Sequence, residues 1–327
     1  MKRRTILRLC SAAVVGLPSI AHAEKDLPFV AVLIPGSAKN ADNRIAAIRQ
    51  GMQEAGLKEG VHYAFVQRHA DGVFDRLPGL ALELAALKPR VIVASAAAAV
   101  AVHQTVPDVP LVFCSYSADP IKAGFAQSYA RPGGNTTGNV MNAAGGEETL
   151  TQKRMGLFKE LVPGLKRLGF IGTATSVLVG EELKALRSVA DHFGFEVIYH
   201  PIQGLDDIGS AVAASTRDGV DALYVSGDSL LYNNMARVLP LIMASGKPTV
   251  GTYPEWGQAG LLMSYSADLL DDFRRAGIYA AKILNGEKPG DLPIEQANKF
   301  VLVVNARTAK QLGVKVPPTM LADEVIE

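Results

Sequence analysis

Short, unbroken apolar runs alternate with longer amphipathic segments along this chain, beginning at Phe29. Phe29–Ile34 reads as a buried strand ending in Pro35-Gly36-Ser37. Arg44–Ala55 follows as a helix, with Ile45, Ile48 and Met52 at three- and four-residue spacing before Gly56 and Gly60 stop it. His62–Arg68 alternates as a strand, and Arg76–Leu87 sets Leu77, Leu80, Leu84 and Leu87 on one helical side. Val91–Ala94 is a buried strand, Ala96–Thr105 a helix directly after Ser95, and Leu111–Cys114 the next strand. That strand opens into an irregular stretch from Ser115 to Gly138, rich in Pro, Gly and Asn.

After Asn139–Met141 the scheme restarts. Helices are expected over Glu147–Leu161, Glu181–Phe193, Asp207–Asp218 and Leu231–Ala244, and strands over Arg167–Ile171, Glu196–His200, Ala222–Val225 and Thr249–Gly251. Few hairpin signals interrupt this order, so it implies two α/β halves with parallel sheets and helical crossovers. The last segments are Leu261–Ser264 (strand), Leu269–Leu284 (helix), Phe300–Val304 (strand) and Ala306–Leu312 (helix). They are too few for a third domain and must rejoin the two lobes, which requires more than one crossing between them. Ligands of open parallel sheets sit beyond the carboxyl ends of the strands, so the loops of both halves are expected to face one cleft.

Ahead of Phe29, Lys2, Arg3 and Arg4 precede an apolar stretch and an A-x-A site, Ala21-His22-Ala23. This reads as a signal peptide over 1–23, with the mature protein periplasmic. Arg3-Arg4 also fits a twin-arginine signal loosely, and the export route stays open. The whole chain of 327 residues has a formal charge of +1; without Lys2, Arg3, Arg4 and Arg8 it keeps 29 bases against 32 acids, a net of −3. That balance speaks against a nucleic-acid partner, which requires a basic face. Of the two cysteines, Cys10 falls in the signal, leaving Cys114 without a disulfide partner. Arg8 and Leu9 are poor neighbours for lipidation of Cys10. The longest apolar run past the signal, Val91 to Val102, is twelve residues, short of the roughly twenty a spanning helix needs; no direct membrane insertion is expected.

No G-x-G-x-x-G, P-loop, H-E-x-x-H or G-x-S-x-G motif occurs in the sequence. His62, His69, His103, His192 and His200 are dispersed, without metal-ligand spacing. The expectation is a binding protein, not an enzyme, with no catalytic residue, metal or cofactor.

Several stretches resemble the exported substrate-binding proteins of ABC transporters, in their tryptophan/tyrosine-type group. They are Leu80-Ala81-Leu82-Glu83-Leu84 through Lys88-Pro89-Arg90-Val91-Ile92-Val93, Asp119-Pro120, and Ala130-Arg131-Pro132-Gly133-Gly134-Asn135-Thr136-Thr137-Gly138. Further on are Tyr253-Pro254-Glu255-Trp256 into Gly260-Leu261-Leu262-Met263-Ser264-Tyr265, and Leu292-Pro293-Ile294-Glu295-Gln296 into Asn305-Ala306-Arg307-Thr308-Ala309. Ser226-Gly227-Asp228-Ser229 departs from the proline-containing loop usual there. The resemblance implies a periplasmic-binding fold of type I: two doubly wound, Rossmann-like lobes joined by a three-segment hinge. Lobe 1 is placed at 24–142 plus 256–297 and lobe 2 at 143–255 plus 298–327. It further implies a monomeric importer component that captures a small carboxylate-bearing solute, an amino acid or an aromatic or branched acid, and works with a membrane permease and its ATPase. A sensor without a transport role and a sugar-type receptor are the alternatives.

Candidate contacts follow from the loops. Ser95 precedes Ala96-Ala97-Ala98, whose uncovered N–H groups suit a carboxylate; an ordinary N-cap is the other reading. Ser37, Ala38 and Asn40 follow the first strand, and Ser115, Tyr116 and Asp119 the fourth, although Asp119 before Pro120 also suits a turn. Thr175 and Ser176 follow the Arg167–Ile171 strand, and Asp228 and Ser229 precede a helix that Ser229 could simply cap. Tyr253 and Trp256 are expected where the chain crosses between lobes, and the indole suits stacking on a flat ligand body or anchoring a buried hinge.

Overall fold

The computed structural model describes residues 27–38, 41–142 and 146–327; the signal-peptide reading over 1–23 and candidate Asn40 lie outside the described residues. In chain order the first half runs β1 (Phe29–Ile34), α1 (Asp42–Glu54), β2 (Ala64–His69), α2 (Leu77–Ala86), β3 (Val91–Ser95), α3 (Ala97–Thr105), β4 (Leu111–Tyr116) and β5 (Thr136–Val140). The second half runs α4 (Gly146–Leu161), β6 (Arg167–Thr173), α5 (Val177–Phe193), β7 (Glu196–Ile202), α6 (Ile208–Arg217), β8 (Ala222–Val225), α7 (Ser229–Asn233), α8 (Met235–Met243) and β9 (Thr249–Gly251). It is followed by α9 (Pro254–Ala259), β10 (Met263–Ala267), α10 (Leu269–Leu284), β11 (Glu295–Gln296), β12 (Phe300–Asn305), α11 (Ala306–Leu312) and β13 (Glu324–Ile326).

The first sheet has the order β11-β5-β4-β3-β1-β2 and is parallel throughout. Its central strands read as unbroken apolar runs because helices cover both faces. Val30, Val32 and Ile34 of β1 pack with Ile45, Ile48 and Phe273, whereas Ala31 and Leu33 pack with Leu77, Leu80 and Val102. Consecutive residues therefore feed opposite cores. On the first of these faces α1 and α10 pack in close contact: a Cβ on Gly51 would lie 1.8 Å from the Arg274 carbonyl oxygen, and one on Gly277 2.1 Å from that of Ile48.

The second sheet has the order β13-β12-β10-β9-β8-β6-β7, with one antiparallel pair, β10 with β12. Met263 and Ser264 of β10 also pair with Val250 and Gly251 of β9. The segment 256–267 therefore belongs to the second lobe, which corrects the boundary expected at 256. The chain crosses from β5 to α4, from β10 to α10 at Asp268, and from β11 to β12 around Lys299. Asp268 caps α10 by accepting from the Leu270 and Asp271 N–H groups and donates its own N–H to the Lys299 carbonyl (2.9 Å). Its carboxylate also pairs with Lys299 Nζ at 2.6 Å. Partial burial works against its charged form, but Lys299 and the two N–H donors outweigh it and hold this carboxyl below the usual range.

Candidate functional site

A cleft of about 1020 Å³ lies between the lobes at the carboxyl ends of β3, β4, β6 and β8. Two backbone features shape its first-lobe wall. Ala96 has φ 47° and Ser115 has φ 49°, left-handed conformations that cost a residue with a Cβ about 1–3 kcal/mol and persist only when their surroundings impose them. The Ser115 N–H donates to the Asp272 carboxylate, and Arg275 Nη2 donates to the same group at 3.2 Å. Burial pushes the Asp272 carboxyl up to about 6 despite those donors. Helix α10 thus holds the Ser115 turn from beneath.

Ala96 occupies the N-cap position of α3, where no side chain caps the helix. The other reading of Ser95, an N-cap, is therefore not realised, and Ser95 itself is not among the residues that line the cleft: it is the last residue of β3, and it is buried. Small side chains at Ala96 and Ala97 border the cleft beside the uncapped helix end. Next to them stands an aromatic wall, with Tyr116 and Phe125 ring centres 4.9 Å apart and Phe125 backed by Phe113 (5.2 Å) and His103 (4.8 Å).

The second-lobe wall is polar. Asp228 accepts from the Thr173 N–H and hydroxyl, both at 3.1 Å, and from the Leu230 and Leu231 N–H groups at 2.9 and 3.1 Å. It joins the end of β6 to the start of α7, so its own role is that of a buried cap. Ser176 caps α5 through Val179 N–H. Beneath the Gly227 turn, Glu182 Oε1 accepts the Gly227 N–H at 3.1 Å and Oε2 accepts from Ser226 Oγ.

Burial, and then the charge of nearby Glu147, push the Glu182 carboxyl up to about 8. The folded chain therefore holds this proton more tightly than the unfolded chain, whose ordinary value is 4.5. The resulting stabilisation is complete below about pH 4.5 and is lost as pH rises through about 8. Glu182→Gln keeps an acceptor for Gly227 and a group for Ser226 without the charge. It is expected to flatten the stability profile between about pH 5 and 8, as followed by urea unfolding at stepped pH; an unaltered profile would refute the assignment.

Of the residues singled out from the sequence, Ala96, Ser115, Tyr116, Asp119, Thr175, Ser176, Ser229 and Tyr253 line the cleft together. Among the described residues, Ser37, Ala38, Ser95 and Trp256 do not. Ser37 and Ala38 follow β1 where the lobes already touch: a Cβ on Gly36 would lie 2.5 Å from Asn233 Oδ1, and Arg44 Nη2 donates to Tyr232 Oη at 2.5 Å with its guanidinium over that ring. Trp256 is fully buried in α9 and packs beside β9 in the second lobe, away from any crossing. Sequence reading missed Asn142, Glu147, Glu181, Gln203 and Phe125, all of which border the cleft. Asn142 and Glu147 flank the first crossing between the lobes, and that position was the available signal.

Two doubly wound lobes facing each other across a solute-sized cleft define the type I periplasmic-binding fold. The chain belongs to the ABC transporter substrate-binding protein family, whose family model matches residues 29–326. It is 24% identical over 267 residues to the tyrosine-binding protein of Clostridioides difficile, covering 81% of this chain and 75% of that protein. Among solved structures, an ABC domain in complex with L-Trp from Streptococcus pneumoniae superposes with a TM-score of 0.83 at 24% identity, covering 92% of this chain and all of that one. A conserved domain protein from Vibrio cholerae gives 0.82 at 23% identity, over 91% of this chain and 99% of that one. No helix among the described residues is long and apolar enough to cross a membrane.

Proposed function

We propose that this protein is the extracytoplasmic, periplasmic solute-binding component of an ABC importer. It captures a small carboxylate-bearing solute, an amino acid with an aromatic or branched body, and closes on it by hinge motion. The observation that carries this reading is the asymmetry of the cleft: an aromatic, apolar wall around Tyr116 and Phe125 faces hydroxyl and N–H groups of the second lobe. A flat apolar body suits the first wall, and the uncapped start of α3 suits a carboxylate. Binding in the interlobe cleft favours the closed arrangement because the ligand then contacts both walls at once. The loaded protein, acting as a monomer, hands its solute to a membrane permease driven by its ATPase. The tyrosine- and tryptophan-binding relatives support an aromatic amino acid as the first solute to test.

The test is a thermal-shift screen of the mature protein against amino acids, aromatic acids and sugars. A true solute at 100 times its Kd adds about 2.7 kcal/mol to stability, a shift of several degrees. A response to aromatic amino acids with none to sugars is expected; a response to sugars alone would overturn the solute assignment.

A further inference from the structure

The two lobes also meet outside the cleft, at the side of the first sheet away from its crossings. Two of the crossings leave that sheet at β5 and β11, whereas β1 and β2 lie at its opposite side. The turns after β1 and β2 come up against the end of α7 in the second lobe. A Cβ on Gly36 would lie 2.5 Å from Asn233 Oδ1, and one on Gly72 3.7 Å from Asn234 Nδ2. Both amides are fixed by their own helix, donating to the Ser229 and Leu230 carbonyls at 2.8 Å.

Beside these turns Arg44, in the first turn of α1 and only 7% exposed, reaches across to the second lobe. Its Nη2 donates to the Tyr232 hydroxyl at 2.5 Å, and its guanidinium lies 5.0 Å from the centre of that ring and 5.8 Å from that of Phe273. The Tyr232 hydroxyl is in turn hydrogen-bonded to Glu255. Burial pushes this hydroxyl well above its usual range, so it keeps its proton and donates it to the carboxylate while accepting from the guanidinium. A cation of one lobe and an anion of the other are thus joined through one phenol. Each end depends on that link, because Arg44 Nε and Glu255 Oε2 are buried without a hydrogen-bond partner among the described residues. Ile34 and Ile45 of the first lobe share a single buried apolar cluster with Leu231 and Tyr253 of the second, and dry surroundings strengthen such a chain.

The contact is also connected to the cleft. Tyr232 meets Tyr253 edge-on, ring centres 4.7 Å apart, and Tyr253 lines the cleft. So do Ser229 and Leu230 at the start of the same short helix. A hinge motion about the crossings would move each point in proportion to its distance from them. Contacts on the β1 and β2 side would therefore part as the jaws open, and Arg44 would lose its hydroxyl partner.

We infer that Arg44, Tyr232 and Glu255 form an interlobe latch that holds the jaws closed without solute, with Gly36 leaving room for α7 to seat. This rests on the hinge closure proposed above. The empty receptor then spends most of its time in the gripping arrangement, and a solute enters when the latch lets go.

Electron-spin distance measurement on the mature protein tests it, with labels at Ala86→Cys in α2 and Lys184→Cys in α5. Both positions are exposed, one on each lobe, and native Cys114 is buried. The solute-free parent is expected to give one narrow distance. Tyr232→Phe, Arg44→Met and the wedge Gly36→Leu should each bring in a longer one, the ratio of closed to open falling about fivefold or more. Affinity for L-tyrosine, read by calorimetry, should fall by up to the same factor, since only the closed fraction grips. Thermal melts report folding separately; Tyr232→Phe removes a single oxygen and Gly36→Leu removes no bond, which covers the case in which Arg44→Met fails to fold. A solute-free parent already dominated by the longer distance, or variants that keep the parent's distance while L-tyrosine still binds, overturns the latch and leaves the receptor reading standing. One unchanged distance in every variant, with no response to any amino acid, overturns both. Binding failure alone counts against the solute assignment, and the distances still decide the latch.

Discussion

Arg154→Ala is expected to lower the free energy of unfolding by roughly 3–5 kcal/mol, the range for removing one partner of a buried charge pair. Arg154 is 1% exposed, and its guanidinium donates to the Tyr265 carbonyl at 2.7 Å, to Glu147 at 3.2 Å and to the Tyr224 hydroxyl at 2.5 Å. It also lies over the Tyr224 ring at 5.7 Å. One side chain therefore ties α4 to β8 and β10, and its loss strands the Glu147 carboxylate beside the cleft without a counter-charge. Solute affinity should fall together with stability. Urea unfolding checks the first effect and calorimetry the second; a stability loss below about 1 kcal/mol would mean that water replaces the guanidinium without penalty, in contradiction to its burial.

Gly277→Ala is expected to cost about 3 kcal/mol or more, at the upper end of overpacking penalties. The added methyl would sit 2.1 Å from a backbone oxygen of Ile48, an atom that cannot rotate away as a side chain would. Either α1 and α10 separate along their contact or α10 shifts on the sheet. A shift displaces Asp272, which is buried and accepts from the Ser115 N–H, so solute affinity should drop further than stability alone explains. Thermal melting and calorimetry on the same variant separate the two effects, and a melting point near that of the parent chain would show that the helices part freely.

The strands were legible in the chain because a parallel strand covered on both faces has to be apolar along its buried length, as Val91–Ala94 and Leu111–Cys114 are. The return crossing was not legible. Met263–Ala267 is as short as the strands of either lobe, and only its pairing with Thr249–Gly251 and with Phe300–Asn305 assigns it to the second sheet. Placing the crossing too early made Trp256 look like a hinge residue, when it is a core residue fixed against Gly251. Ser95 misled in another way. A serine before an apolar helix reads as a ligand contact or a cap at the helix start, but the chain turns through φ 47° at Ala96 and starts the helix one residue later, and alanine carries no signal for that conformation. Glu147 and Glu182 lie on helices among ordinary surface-like acids in the sequence; what distinguishes them is burial against Arg154 and Ser226, a relation between distant segments that spacing cannot express.

The bond between Asp268 and Lys299 has a consequence for how the jaws can swing. Two of the three connections are coupled to each other by an ion pair and a backbone bond, so in the clamp proposed above they would travel together like the two leaves of one door hinge. A swing of the lobes would carry both strands of that pair at once, and neither would lengthen without parting Asp268 from Lys299.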